Sequence, residues 1–272
     1  MRKHLSNIFL VLVLLLGLSL MLYPTVSDLW NSAHQSRAVA TYTETVSTLN
    51  TEVYDQVWAD AIAYNERLAQ DEFRFHMDEE DLSEYDSLLN IGGNGVMGVV
   101  EVPRIGCRMP IYHGTSEGVL QVAIGHIEGT SLPTGGPGTH CAISGHRGLP
   151  SARLFTDLDQ MKKGDQFMLH ILNETFTYEV DQILVVDPED VTALAIDPQQ
   201  DYCTLVTCTP YGINTHRMLV RGHRVENTPE SEPVIITSDA DLVASWLVAL
   251  IVGGPPLLLI LLFALPVRRR KR

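Results

Sequence analysis

The 272-residue sequence predicts a mainly β protein, in which a closed or nearly closed barrel follows a helical stalk and lies between two membrane spans. Three observations lead to this fold class. Uncharged apolar runs occupy 5–23 and 242–267. Apolar residues recur at three- and four-residue steps between 46 and 68. From residue 92 onwards, short stretches of strand-forming residues alternate with glycine and proline.

The first apolar run follows the basic start Met1-Arg2-Lys3-His4 and is long enough to cross a hydrocarbon core of ~30 Å. A cleaved signal peptide is the alternative, but only a weak small-x-small site follows the run. We therefore predict an uncleaved anchor. The second run is interrupted by Gly253-Gly254-Pro255-Pro256, which a membrane helix tolerates better than a soluble one, and we predict a second span.

Both ends of the chain are basic, which predicts that both lie in the cytoplasm and that everything between the spans is exported. The exported part holds 12 basic and 33 acidic residues, a net charge of −21. This charge argues against a nucleic-acid partner. It suits cationic partners such as lysine-bearing proteins, although simple solubility explains it equally well. The expected location is the cell membrane, multi-pass, with an extracytoplasmic domain.

Between the spans, the apolar periodicity predicts one helix of about ten turns from Trp30 to Leu68. The acidic stretch from 71 to 86 is expected to be irregular. It carries Phe73 and Phe75, which suggests a segment docked over a groove rather than a solvated linker.

The barrel region is expected to consist mainly of short strands. Predicted strands lie at 96–102, 108–112, 139–144, 165–172, 175–186, 202–208 and 217–224, and short helices at 116–124 and 151–158. The sequence from Gly93 to Gly98 matches the G-x-G-x-x-G fingerprint of dinucleotide-binding proteins. That fingerprint needs a strand before it and a helix after it, whereas here a loop precedes and a strand follows, so we predict a turn.

The last strand pair brings together the residues with the clearest chemistry. If 209–216 forms the connecting loop, Cys208 lies opposite Arg217, with both side chains on one face. Arginine in this position favours the thiolate and offers donors to a developing oxyanion. Cys203 points the opposite way and is expected in the core.

A cysteine nucleophile needs a proton partner, usually histidine. His146 follows the strand at 139–144 in a turn flanked by Gly145 and Gly148, which would project its imidazole past the strand end. His216 is the nearest competitor, but strand alternation directs it away from the Cys208 face. Neither a zinc-type cysteine spacing nor a calcium loop is present, so no metal or other cofactor is expected.

The motifs around Cys208 and His146 resemble those of a known family. T-L-V-T-C at 204–208 matches the signature of sortases, and S-G-H-R-G at 144–148 is similar to the sortase histidine motif. The segments at 110–115, 129–133 and 209–217 resemble the class C, pilus-assembling branch, and the likeness extends from about 85 to 224. It implies an eight-stranded β-barrel with short helices.

The resemblance also implies an activity. Cys208 would be the nucleophile that attacks the Thr–Gly bond of an LPXTG-like sorting signal, His146 the general acid and base, and Arg217 the oxyanion stabiliser. The partners would be LPXTG-bearing pilin or surface proteins and the lysine amine of another pilin subunit. Attachment of proteins or pili to a peptidoglycan precursor is the alternative, and a non-catalytic membrane scaffold is the rival from another class. A papain-like protease is less consistent, because its cysteine begins a helix.

Class C sortases usually carry a lid with an Asp-Pro-aromatic motif over the cysteine. This chain has Asp71-Glu72-Phe73 in that region, without the proline, and Phe75 and Asp78 are the alternatives. The expected layout is then a cytoplasmic tail (1–4), a membrane anchor (5–23), a helical segment (24–70), an acidic lid-like segment (71–91), the catalytic barrel (92–226), a linker (227–241), a second span (242–267) and a basic cytoplasmic tail (268–272).

Overall fold

The structure is a computed structural model that describes residues 2–149 and 152–227. Its helices are α1 (Arg2–Ser47), α2 (Thr51–Leu68), α3 (Glu79–Ser87) and α4 (Glu117–Leu120). Its strands are β1 (Val96–Val102), β2 (Cys107–His113), β3 (Ile124–His126), β4 (Thr139–Ser144), β5 (Gln166–Ile171), β6 (Glu174–Val186), β7 (Asp201–Thr209) and β8 (His216–Val225). Short 3₁₀ turns lie at Pro103–Ile105, Leu158–Gln160 and Thr192–Leu194.

The eight strands close into a barrel in the order β1-β2-β3-β4-β7-β8-β6-β5, with β5 paired to β1. The pairs β2–β3 and β4–β7 are parallel, and the others are antiparallel. Inward-facing residues from opposite strands fill the interior, among them Ile111, Phe167, Leu205 and Val220, none of which has exposed surface. Closure removes the free sheet edges on which unwanted pairing depends. The predicted β-barrel is confirmed.

The single ten-turn helix predicted between Trp30 and Leu68 is wrong, because the chain forms two helices there. Asn50 lies between them with extended backbone, and its side chain accepts a hydrogen bond from the Val53 amide, which makes it the N-cap of α2. The apolar periodicity continues through the break, and for that reason it did not reveal the interruption.

Both helices of the stalk pack against the barrel. The Tyr42 hydroxyl of α1 donates to the Met97 carbonyl at 2.9 Å and accepts from the Leu172 amide at 2.8 Å. Asn65 of α2 bonds both backbone groups of Leu132, at 2.7 and 3.0 Å. These buried polar contacts fix the stalk to the barrel wall.

Three further predictions of local structure need correction. The acidic stretch is not irregular throughout, because Asp78 starts α3 with a capping box. The helix expected at 116–124 ends at Leu120, and Ile124 begins β3 instead. The helix expected at 151–158 is absent from its described part, where turns lead into the 3₁₀ segment Leu158–Gln160. The turn predicted at Gly93–Gly98 is confirmed over 93–95, after which β1 begins at Val96, and the hairpin around Asn173 is confirmed.

Among the described residues, α1 is the one helix whose length and composition would allow it to cross a membrane. It runs without a break through Pro24, and side chains such as Phe9 and Met21 are exposed along it. The predicted second span at 242–267, the basic tail at 268–272 and nearly all of the predicted linker lie outside the described residues.

Candidate active site

Cys208 lies near the end of β7, directly opposite Arg217 of β8, as the sequence predicts. Both side chains are partly buried, so the thiol is accessible at the mouth of the β7–β8 loop. Opposed residues of an antiparallel pair share a face, so the two side chains project from the same side of the sheet. Arg217 Nη1 donates to the backbone carbonyls of Asn214 and His216, at 3.4 and 3.2 Å.

His146 reaches the same place through the other neighbour of β7. The parallel register pairs Ser144 of β4 with Val206 of β7, and the Gly145 amide extends the ladder by donating to the Val206 carbonyl at 3.0 Å. If this register is continued for two residues beyond Ser144 and Val206, His146 comes level with Cys208. The sequence does not reveal this relation, since nothing in it shows that β4 and β7 are parallel neighbours.

The buried Thr207 hydroxyl strengthens this junction by donating to the Gly145 carbonyl at 2.8 Å. This hydrogen bond links Thr207, which precedes Cys208, to Gly145, which precedes His146. Thr207 belongs to the T-L-V-T-C motif but was not singled out in the sequence, because its partner lies 62 residues away.

All four cysteines are free thiols, and only Cys208 has appreciable exposure. Burial raises the pKa of Cys107 to about 12 and lifts that of Cys203 well above its ordinary value. Cys141 is the register partner of Cys203 and is equally buried. The expectation that Cys203 belongs to the core is confirmed, and burial excludes all three thiols as surface nucleophiles.

His140 and His126 form hydrogen bonds inside the protein. His140 contacts the Ala195 carbonyl at 2.9 Å and the Thr204 hydroxyl at 2.7 Å, and burial lowers its pKa to about 4. His126 lies fully buried between the Tyr85 hydroxyl and the Ser131 carbonyl. His216 pairs with Thr209, one position from the Cys208–Arg217 pair, so it faces the opposite side, as predicted.

An apolar groove lies on the outer face of the barrel next to the cysteine. Its buried floor consists of Ala142, Val206, Leu219 and Leu194, and Val206 shares the strand face of Cys208. Phe75, from the acidic segment, packs against this floor. Phe75 therefore covers part of an apolar floor that lies on the same strand face as the thiol.

Arg74 anchors the acidic segment at this position. Its guanidinium donates to the Gly129 carbonyl at 2.6 Å and to the Leu194 carbonyl at 2.9 Å, and it stacks 4.4 Å from the centre of the Phe75 ring. The two carbonyls belong to separate loops that border the groove, so one side chain fixes Phe75 against both.

The lid residues named from the sequence occupy different positions. Phe73 is 72% exposed, and the Asp71 carboxylate accepts from the Phe73 amide at 2.8 Å. Among the ion pairs of the described residues, none joins Asp71 to Arg217. The structure thus pairs Cys208 with Arg217, starts the loop of His146 beside the same end of β7, and packs Phe75, the alternative aromatic, on the apolar floor.

Comparison with known proteins identifies the family. A family model of the sortase domain matches residues 100–225. The crystal structure of sortase C1 from Streptococcus agalactiae is 50% identical, with a TM-score of 0.69, and the match covers 71% of this chain and all of that one. The chain belongs to the sortase family. Members of this family are cysteine transpeptidases.

Other relatives agree with this assignment. Sortase C from Streptococcus pneumoniae is 41% identical to this sortase, with a TM-score of 0.63, over 73% of this chain and all of the other. Sortase D from Bacillus subtilis is 29% identical over 131 residues, which is 47% of this chain and 63% of that protein. The matched stretch therefore spans less than two thirds of this curated relative. The solved neighbours support a place in class C.

Proposed function

We propose that this sortase is a class C enzyme that cleaves an LPXTG-like sorting signal and transfers it to a lysine amine of another pilin subunit, so that pili are polymerised. The observation that carries the proposal is the adjacency of β4, β7 and β8 in the barrel, which gathers His146, Cys208 and Arg217 at one end. The 50% identity to a sortase C1 supports the pilus-assembling branch.

In the acylation half-reaction, the Cys208 sulfur attacks the threonine carbonyl carbon of the Thr–Gly bond. Negative charge develops on the carbonyl oxygen, where the Arg217 guanidinium donates hydrogen bonds to it. As the tetrahedral intermediate collapses, the C–N bond breaks and His146 gives its proton to the leaving glycine amine. The products are a thioester on Cys208 and the free C-terminal fragment.

In the transfer half-reaction, a lysine amine attacks the thioester carbonyl and His146 accepts the proton that the amine loses. Arg217 again stabilises the oxyanion, and the C–S bond breaks to release the Cys208 thiolate beside the reprotonated His146. The product is an isopeptide bond between two pilin subunits. No cofactor takes part, since nucleophile, proton carrier and oxyanion donor all come from the chain.

We also infer that the acidic segment acts as a lid, with Phe75 rather than Phe73 as the residue that fills the groove. The support is the packing of Phe75 on the floor formed by Ala142, Val206, Leu219 and Leu194. The proposed placement is in the cell membrane, multi-pass, with the barrel on the extracytoplasmic side.

The test uses the full chain in detergent micelles with a pilin that bears an LPXTG-like signal. We expect a ladder of pilin polymers on denaturing gels, absent with Cys208→Ala and lost when the acceptor lysine of the pilin is replaced. Transfer to a peptidoglycan-precursor amine without any pilin ladder would favour the alternative, cell-wall attachment. Absence of both products would contradict the proposal.

A further inference from the structure

Arg147 follows the proposed catalytic His146 and makes contacts that have no part in the proposed transpeptidation steps. Arg147 is only 10% exposed although it lies in a surface loop. Its Nη2 pairs with the Asp159 carboxylate at 2.5 Å, and its Nη1 makes a long contact of 3.5 Å with the Thr209 hydroxyl. Asp159 belongs to the 3₁₀ turn Leu158–Gln160, and Thr209 directly follows Cys208.

Tyr211, in the loop between β7 and β8, lies near the Arg147 side chain. The Arg147 guanidinium carbon lies 5.9 Å from the centre of the Tyr211 ring. Gly148 takes a left-handed backbone with φ of 80°, and a Cβ there would stand 2.7 Å from the same ring. Glycine is therefore required for the close packing of the two loops. Arg147 lies where the loop after β4, the loop after β7 and the 3₁₀ turn meet.

Backbone hydrogen bonds hold the loop that carries His146 at several points, among them Gly145, which bonds to β7, and the Gly148 amide, which donates to the Thr156 hydroxyl at 3.1 Å. The loop leaves β4 after Ser144, and the His146 carbonyl is held by the Phe155 amide at 3.2 Å. Glycines at 145 and 148 flank the histidine and its neighbour, and glycine leaves the backbone more freedom than other residues do. The rigid guanidinium of Arg147 limits this freedom, because it contacts Thr209 through Nη1 and Asp159 through Nη2.

We propose that Arg147 is a positioning residue, which holds the loop of His146 in register with the strand end of Cys208. The inference rests on the proposed function, because it assigns Arg147 to the alignment of that thiol and imidazole. Arg147 touches neither the substrate nor the reacting atoms in this account. The Nε of Arg147 has no hydrogen-bond partner among the described residues, so the buried guanidinium is not optimised for stability alone.

The test compares Arg147→Gln and Arg147→Lys with the unsubstituted full chain in micelles, using an LPXTG peptide. Acylation kcat should fall about 10- to 100-fold in Arg147→Gln, because a displacement of about 1 Å costs a factor of this order, while KM stays within about twofold. Arg147→Lys keeps the positive charge but lacks the planar guanidinium, so its kcat should lie between that of Arg147→Gln and that of the unsubstituted chain. Alkylation should still label Cys208 in full and leave the buried Cys107, Cys141 and Cys203 unlabelled, which gives the number of folded sites.

Two further variants separate positioning from general support of the fold. Asp159→Asn removes the negative charge that Nη2 pairs with, at a side chain that is 48% exposed, and it should lower kcat in the same direction by a smaller factor. Arg153→Gln is the matched control, because Arg153 pairs with Asp157 at 2.6 Å in the same stretch but is 75% exposed. It should leave kcat unchanged.

Unchanged kcat per labelled site in Arg147→Gln, or a change confined to KM, would overturn the positioning role. If Arg147→Gln does not fold, unchanged kcat in Asp159→Asn overturns it equally. An unsubstituted chain that forms no acyl-enzyme would instead contradict the proposed function, so the two failures are distinguishable.

Discussion

At the residue scale, the proposed chemistry comes from two strands and one loop, with Cys208 on β7, Arg217 on β8 and His146 in the loop after β4. Cys208 and Arg217 face each other across an antiparallel pair, and His146 comes level with Cys208 through a parallel pair. The first relation follows from the sequence, because one loop joins the two strands. The second depends on a neighbour 62 residues away, so only the fold reveals it.

Replacement of Arg217 by glutamine should lower the acylation kcat about 10²- to 10³-fold, the usual cost of losing an oxyanion donor. Arg217→Lys keeps a positive charge but loses the planar fork, so it should lose less. Peptide acylation by the full chain, followed by mass spectrometry over time, measures both. An Arg217→Gln variant with unchanged kcat would remove Arg217 from the proposed site.

His140 should make stability depend on pH. Burial lowers its pKa from 6.5 to about 4, with the Arg221 and Arg74 charges acting in the same direction and the Ala195 carbonyl and Asp181 opposing. The unfolded chain therefore takes up a proton below pH ~6.5 that the folded chain refuses. Stability is full above that pH and falls towards pH 4, by on the order of 3 kcal/mol for a shift of this size.

Denaturant unfolding at several pH values between 4 and 7 measures this effect. His140→Gln should flatten the dependence, whereas His76→Gln, at an exposed position, should leave it unchanged. An equally steep dependence in His140→Gln would show that other groups are responsible.

At the element scale, the acidic segment and the short strand β3 differ most from the sequence-based expectation. The segment contains α3, in which Tyr85 is the one buried residue. An apolar periodicity that would predict a helix is therefore absent from its sequence. Strand β3 has three residues, too few for alternation to appear. In contrast, β1 and β4 carry clear strand patterns between turn residues, and their bounds were predicted to the residue.

Phe75→Ala should raise the kcat/KM for peptide acylation, by up to about 10-fold, because the closed position of the segment then loses the packing of a partly buried phenylalanine. Phe73→Ala is the matched control, since Phe73 is 72% exposed, and should change little. Initial rates with a short LPXTG peptide measure both variants. A larger rise in Phe73→Ala than in Phe75→Ala would favour the assignment of Asp71 and Phe73 as the lid.

Gly125→Ala should destabilise the barrel where β3 meets β2. A Cβ at Gly125 would stand 2.2 Å from the Gly114 carbonyl oxygen, so backbone must shift, at a cost of about 2 kcal/mol. Gly118→Ala in α4 meets nothing within 4 Å and should be neutral or slightly stabilising. Thermal unfolding followed by circular dichroism compares the two, and equal melting temperatures would contradict the close packing described for β3.

At the scale of the whole molecule, a barrel is joined to a helix that is apolar enough to cross a membrane. Helix α1 continues without interruption into the part that packs on β1 and β2, where Tyr42 bonds Met97 of β1 and Leu172 of the β5–β6 turn. The sequence predicted the barrel, the stalk and two of the three site residues from local pattern. It did not predict which strands are neighbours, because closure joins segments far apart in the chain.

The measurement that tests the central claim most directly is the mass of the full chain after incubation with an LPXTG peptide and no amine acceptor. The account predicts an added mass equal to the peptide up to its threonine, located on Cys208 by fragmentation and abolished in Cys208→Ala. His146→Ala should show the adduct only at a rate lower by about 10²- to 10⁴-fold. No adduct on a folded chain whose Cys208 is fully alkylable, even with Phe75 replaced by alanine, would contradict it.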